Sequence, residues 1–300
     1  MRRLVRSCAI LAACALIAPA AAQVPAGEAE SGEIVVKGQR DRNRDRQISD
    51  FIGALTKAPI GGQLSRFEQA VCPSAMGLAP AQNGVVEARM RKVAEAAGAP
   101  VGKKGCKPNA FVVVAQDKEE WLKAIRASWS NPAGERVKIP EQSGSAVALH
   151  LEGVLDANGV PVGVAPVSDS DSGGYYVVEM GDGSSRIRPA SRRHFLASIL
   201  IVEPDAVEGL TTTQLADYAV MRLLARVDPS RLEKSAAPTI LTILDAPMDS
   251  QVPVTMSHWD LAFLKALYTS GEGRYANQQR SEMKGLVRKE LDKAQSGAKN

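Results

Sequence analysis

The sequence lacks the short motifs by which most hydrolases and nucleotide-binding proteins are recognised. No serine lies in a Gly-x-Ser-x-Gly pattern, so the nucleophile elbow of an α/β-hydrolase is not supported. No glycine-rich loop stands between a strand pattern and a helix pattern to hold a phosphate. The only three histidines, His150, His194 and His258, fall on separate predicted elements. Although they could converge in space, they show no ligand spacing, so we predict neither a metal nor a cofactor.

Excess charge is also scarce. The formal net charge is +4, and residues 1–22 contribute Arg2, Arg3 and Arg6 without an acid, so the remainder of the chain carries +1. Proteins that bind nucleic acid usually present a strongly basic face, so we predict no nucleic-acid partner. Apolar residues make up 45% of the chain, which is enough for a packed core and excludes wholesale disorder.

The first 22 residues have the pattern of a secretory signal peptide. A basic start precedes a short apolar run at residues 8–17, and small residues lead to an expected cleavage after Ala22. We therefore predict a periplasmic or secreted protein without an integral membrane segment after cleavage. The alternative is a lipoprotein anchored at Cys14. It is less favoured, because the apolar run continues through Leu16 and Ile17, where a lipoprotein becomes polar.

Cysteine is rare, and two of the four residues lie in the predicted signal peptide. Cys72 and Cys106 remain as an even pair in an exported chain, which predicts one disulfide bond. A metal or redox pair is the competing interpretation. It is weaker, because the two residues are far apart and neither lies in a Cys-x-x-Cys motif.

Residues 33–40 read Glu-Ile-Val-Val-Lys-Gly-Gln-Arg, and Arg alternates with Asp and Asn at residues 40–46. The first stretch resembles the segment that opens the plug of TonB-dependent receptors, with Lys37 in place of a threonine. The resemblance implies an exposed strand, Ile34, Val35 and Val36, that offers itself to the sheet edge of an envelope partner. The alternative is that these residues belong to a flexible linker, which we predict over residues 23–60.

Residues 61–270 carry strand and helix patterns in a mixed order, so we predict a single α+β domain with a mixed sheet and helices packed on it. We expect strands at 64–72, 110–115, 146–155, 160–164, 175–178, 185–188 and 195–202, and helices at 86–97, 117–129, 209–226 and 257–268. Residues 271–300 are polar and mixed in charge, which predicts an exposed helical tail.

The predicted helix at 209–226 is apolar almost all round, which indicates that it is buried, and Asp217 lies among its apolar residues. A buried acid is costly unless it is paired or hydrogen-bonded. One interpretation is structural, with Asp217 held by backbone N–H groups or by an arginine such as Arg192 or Arg193, since Arg222 and Arg226 fall on the opposite helix face. The other is a catalytic carboxylate with a raised pKa in a pocket.

The order of these elements, with residues 209–224 as a buried helix and Thr255-x-x-x-Trp-Asp leading into the last helix, resembles the layout of zincin metallopeptidases. A zincin needs His-Glu-x-x-His on the buried helix, and this helix offers Gln214, Asp217 and Tyr218 instead. The resemblance therefore implies a zincin-like scaffold without its metal. Gln-Leu-Ala-Asp-Tyr at 214–218 is also similar to a family of uncharacterised secreted bacterial proteins, which implies no activity.

We therefore expect an exported protein with a non-catalytic interaction or structural role. The alternative is a degenerate or unconventional hydrolase, peptidase-like, that uses the cleft beside Asp217. A third hypothesis is a component that works beside an outer-membrane receptor through Ile34, Val35 and Val36.

Overall fold

The computed structural model describes residues 28–56, 62–128, 144–156, 158–165, 188–247 and 251–297, with the backbone alone at 28–40, 162–165 and 233–234. The elements are α1 (Glu28–Leu55), β1 (Pro73–Met76), α2 (Pro80–Ala96), β2 (Ala110–Val114), α3 (Lys118–Ser128), β3 (Ala146–Asp156), β4 (Pro161–Ala165), β5 (Ser191–Val202), α4 (Pro204–Val207), α5 (Thr212–Leu224), α6 (His258–Thr269) and α7 (Ala276–Gly297). Short 3₁₀ helices lie at Pro229–Lys234 and Ile240–Thr242. No helix in these ranges is long and apolar enough to cross a membrane.

The five strands form one mixed sheet in the order β1-β2-β5-β3-β4. The first three strands in this order run parallel, whereas β3 is antiparallel to β5 and to β4. The predicted mixed α+β fold is confirmed, as is the predicted hairpin of β3 and β4. The second predicted hairpin and the predicted signal peptide, including Cys14, lie outside the described residues.

Each face of the sheet packs against helices, because side chains alternate along a strand. Ile199 and Ile201 of β5 pack with α3, whereas Leu200 and Val202 belong to the larger core that includes α2, α5 and α6. All positions of α5 from Gln214 to Leu224 are buried in this larger core. The buried helix expected from the sequence is therefore present.

The disulfide between Cys72 and Cys106 is confirmed, with sulfur atoms 2.07 Å apart. It joins the residue before β1 to the loop before β2. The predicted strand at 64–72 is wrong, however, because Arg66 and Val71 form only isolated bridges and β1 begins at Pro73. Arg66 instead donates hydrogen bonds to the carbonyls of Leu267 and Ser270 at the end of α6.

The linker predicted over residues 23–60 is also wrong in its second half. The chain divides into two units between Arg42 and Asn43. In the second unit Ile48, Phe51, Ile52 and Leu55 recur at helical spacing and are all buried. Phe51 makes edge-to-face contacts in this core, at a ring-centroid distance of 5.5 Å from Trp259. The charges around these four positions concealed their spacing in the sequence.

Two further terminal predictions need correction. The backbone of Ile34, Val35 and Val36 belongs to α1, so the predicted strand is a helix. The predicted exposed tail at 271–300 is a packed element, because Met283 and Val287 of α7 are buried in the main core. Glu290 of α7 also forms an ion pair with Lys265 of α6, at a distance of 3.0 Å. Most residues of α7 are polar, so its narrow apolar face was not evident from the sequence.

Candidate functional site

Asp217, the candidate catalytic acid, is fully buried on α5 and accepts hydrogen bonds through both carboxylate oxygens. Arg89 of α2 donates from Nε to Oδ1 at 2.7 Å and from Nη2 to Oδ2 at 2.9 Å. The Thr255 hydroxyl and the Met256 N–H donate to Oδ2 at 2.6 and 2.7 Å. This bidentate ion pair joins α2, α5 and the segment that leads into α6.

The arginine partner differs from the two suggested by the sequence. Arg192 pairs with Glu68 at 3.3 Å and also with Glu272, and Arg193 pairs with Glu152 at 3.6 Å. Arg89 lies 128 residues before Asp217, so no local pattern connects the two. The hydrogen bond to Asp217 raises the pKa of Arg89, so the guanidinium stays charged.

The three histidines lie in three different environments. His150 stacks on Phe195, with ring centroids 4.4 Å apart, on the sheet face that packs against α5. His194, the residue before Phe195, lies on the other face, where its ring covers Gly153 so closely that a Cβ there would be 2.6 Å from Cε1. His258 is exposed at the start of α6. Within the described ranges no three His, Cys, Asp or Glu side chains form a group that could hold a metal.

A buried polar cluster beneath α5 was missed by the sequence reasoning. His150 and Glu152 are two residues apart on β3, and Ser198 lies opposite His150 on β5. All three are buried, and His150 Nε2, both Glu152 oxygens and Ser198 Oγ have no hydrogen-bond partner among the described residues. The Glu152 oxygens lie 3.5 and 3.6 Å from guanidinium nitrogens of Arg226 and Arg193. Although a serine, a histidine and an acid meet here, no substrate could reach them without opening the core.

The ring of His150 is held neutral in this cluster. Burial lowers the pKa of His150 to about 3, and the nearby Arg226 and Arg222 act in the same direction. Hydrogen bonds to the backbone of Arg222 and Leu223 partly oppose this change. His150 therefore behaves as an aromatic core residue that lies under the last turn of α5.

An open cavity of about 670 Å³ lies beside α5, where Tyr218 and Arg222 of this helix form part of its lining. It is at the edge of the sheet where β5 ends, because Ala146 in its wall pairs with Val202. Its lining residues are Gly144, Ser145, Ala146, Tyr218, Arg222, Pro229, Ser230, Leu232, Leu241, Thr242, Leu244, Asp245, Ala246 and Pro247. In sheets with parallel strands, ligands commonly bind outside the carboxyl ends of the strands.

Two side chains of α5 supply polar groups to this cavity. Arg222 Nη1 donates to the Tyr218 hydroxyl at 2.6 Å, and the guanidinium carbon lies 5.6 Å from the centroid of the Tyr218 ring. Burial raises the pKa of Tyr218, so this hydroxyl stays protonated at neutral pH. Asp245, also in the lining, is exposed. Among its described lining residues, the cavity thus combines a buried guanidinium and a buried phenol with leucine, proline, serine and threonine residues.

Comparison with known proteins did not identify a relative of this chain. No family model matches the chain, and no curated protein or solved structure was found to be similar. Function is therefore inferred from the geometry of the cavity and of Asp217.

Proposed function

We propose that this is an exported, non-catalytic binding protein whose ligand site is the cavity beside α5. The observation that carries the proposal is the cavity itself, about 670 Å³ in volume, in which the Arg222–Tyr218 pair meets a lining of apolar and polar residues. Small-molecule sites are typically concave, largely apolar and furnished with a few convergent polar groups. The export that we predict from residues 1–22 would place such a site in the periplasm or outside the cell.

The engagement of Asp217 favours binding over the hydrolase alternative. A general base needs a carboxylate oxygen that can reach a substrate or a water molecule. Oδ1 of Asp217 already accepts from Arg89, and Oδ2 accepts from Arg89, Thr255 and Met256. Asp217 therefore serves the fold in our proposal, and the resemblance to zincins stays a prediction about the layout of the elements.

The envelope partner predicted through Ile34, Val35 and Val36 stays a proposal of the same kind. The backbone of these residues is helical, so pairing with a sheet edge would require this part of α1 to convert to a strand.

A thermal-shift screen with small metabolites tests the binding function. Thr242 is exposed in the cavity lining, so Thr242→Trp should obstruct the cavity with little cost to folding, and Val254→Trp at an exposed position outside the lining is the matched control. A ligand at tenfold its Kd should raise the Tm by about 3 °C, because it stabilises the folded state by about 1.4 kcal/mol. The rise should vanish in Thr242→Trp and persist in Val254→Trp.

Two outcomes would contradict the proposal. One is a panel in which no compound stabilises the wild-type protein, or in which stabilisation survives Thr242→Trp. The other is turnover of peptide or ester substrates that Asp217→Asn abolishes in a folded variant, which would support the hydrolase alternative.

A further inference from the structure

We infer that the cavity beside α5 recognises a monocarboxylate with an aliphatic body, and that Arg222 is the residue that binds its carboxylate. The inference rests on the proposed binding function and names the ligand class of that site.

The state of Arg222 is the first observation. Its side chain lines the cavity, yet the residue is only 8% exposed. Nη1 is engaged by Tyr218, whereas Nε has no hydrogen-bond partner and no carboxylate lies within ion-pair distance of the guanidinium in the described part of the chain. A buried cation without a counter-ion is costly, so this position favours an anion.

Tyr218 gives the anion site a fixed geometry. Its hydroxyl accepts from Arg222 Nη1 at 2.6 Å, which orients the guanidinium beside the cavity. Because the hydroxyl oxygen is the acceptor in this bond, its proton remains free to donate to a ligand oxygen. Guanidinium and carboxylate groups match as planar partners, and a charge-assisted pair of this kind is stronger than a neutral hydrogen bond.

The rest of the lining selects the body of the ligand and its charge. Leu244 and Pro229, which are partly exposed, supply apolar surface for an aliphatic chain, and the buried Leu232 and Leu241 complete the apolar part of the lining. Asp245 carries an exposed acid in the same lining and would repel a second anionic group. These features favour a ligand with a single negative charge over a dianion such as phosphate.

Isothermal titration of the full-length protein with three probes tests the inference. Octanoate carries both the body and the anion, 1-octanol carries the body alone, and inorganic phosphate carries an anion alone. We expect octanoate to bind with one site and to bind at least tenfold more tightly than either other probe. Arg222→Gln should weaken octanoate at least tenfold, whereas Val254→Trp, at the exposed control position outside the lining, should bind it as tightly as the wild type.

A readout on the wild-type protein keeps the test valid if Arg222→Gln does not fold. The ¹³C signal of octanoate labelled at its carboxyl carbon should titrate at lower pH when bound than when free, because the Arg222 guanidinium stabilises the anion. An unshifted titration, equal affinities for octanoate and 1-octanol, or undiminished octanoate binding in folded Arg222→Gln would overturn the inference.

The outcomes also separate this inference from the proposed function. If octanoate fails to bind but neutral compounds still stabilise the protein in a way that Thr242→Trp abolishes, the ligand class is wrong and the binding site stands. If no compound of the thermal-shift panel depends on the cavity, the binding function itself fails.

Discussion

Asp217 and Arg222 lie five residues apart on α5, and both side chains are more than nine-tenths buried. Their charges are compensated in different ways. Asp217 is surrounded by donors from Arg89, Thr255 and Met256, so its negative charge is satisfied within the fold. Arg222 has a hydroxyl beside it and an open cavity in front of it. A satisfied charge holds structure together, whereas an unsatisfied charge at a cavity favours a ligand.

His150 predicts how the stability of the protein depends on pH. Burial lowers the pKa of folded His150 to about 3, whereas an unfolded histidine has a pKa of about 6.5. Between these values the unfolded chain binds a proton that the folded chain does not. The free energy of unfolding should therefore fall as the pH decreases from about 6.5 toward 3, by up to about 1.4 kcal/mol per pH unit from this residue. Urea denaturation between pH 4 and pH 7 measures this slope.

His150→Gln should make the slope shallower, because glutamine does not titrate in this range. Part of the slope should remain, since burial also lowers the pKa of His194. His258→Gln is the matched control at an exposed position and should leave the slope near that of the wild type. An identical slope in His150→Gln and in the wild-type protein would contradict a neutral, buried His150.

At the scale of elements, α5 is fixed by polar contacts at its start and on one face. Thr211 caps the helix and forms a capping box with Gln214. The Gln214 side-chain amide then donates to the Pro253 carbonyl at 2.9 Å, one turn before Asp217 binds Thr255 and Met256. Gln214 and Asp217 therefore hold the segment at 253–256 against α5.

Asp217→Asn should destabilise the fold by about 3 kcal/mol, because it removes a buried ion pair and turns an amide N–H toward groups that are themselves donors. Arg89 is partly exposed and can regain water, which places the cost at the lower end of the range for buried pairs. Urea denaturation at pH 7 measures the change, with Asp205→Asn at an exposed position of α4 as control. A loss below about 1 kcal/mol would show that Asp217 does not hold the helices together.

Elements with a clear local pattern were predictable from the sequence. The apolar run of α5, the turn between β3 and β4, and the Ser257 cap of α6 each mark an element within a few residues. α1 and α7 were misjudged because their buried positions are dispersed among charges, so only their spacing reveals an apolar face.

The candidate site was less predictable, because its parts meet only through the fold. Arg89 reaches Asp217 across 128 residues, and the cavity combines α5 with residues 144–146, 229–232 and 241–247. One local signal did exist. It concerns the buried polar cluster: His150 and Glu152 stand two residues apart in a mostly apolar strand, which places two polar groups on the same buried face.

At the scale of the whole molecule, the main core and the cavity share the same helix. α5 crosses the sheet face opposite α3, with Asp217 directed to α2 and to residues 253–256 and with Arg222 directed to the cavity where β5 ends. Because the contacts of Asp217 fix the position of α5, the Arg222 guanidinium is held in place at the cavity. Preorganised sites of this kind need less ordering when a ligand binds.

The octanoate affinities of Asp217→Asn and Arg222→Gln, measured by titration calorimetry at a temperature where both variants are folded, test this division of α5 most directly. Asp217→Asn should bind octanoate within about threefold of the wild-type affinity, because its effect falls on stability, whereas Arg222→Gln should bind at least tenfold more weakly. Retained binding in Arg222→Gln together with lost binding in folded Asp217→Asn would contradict the account and would move the functional site to Asp217.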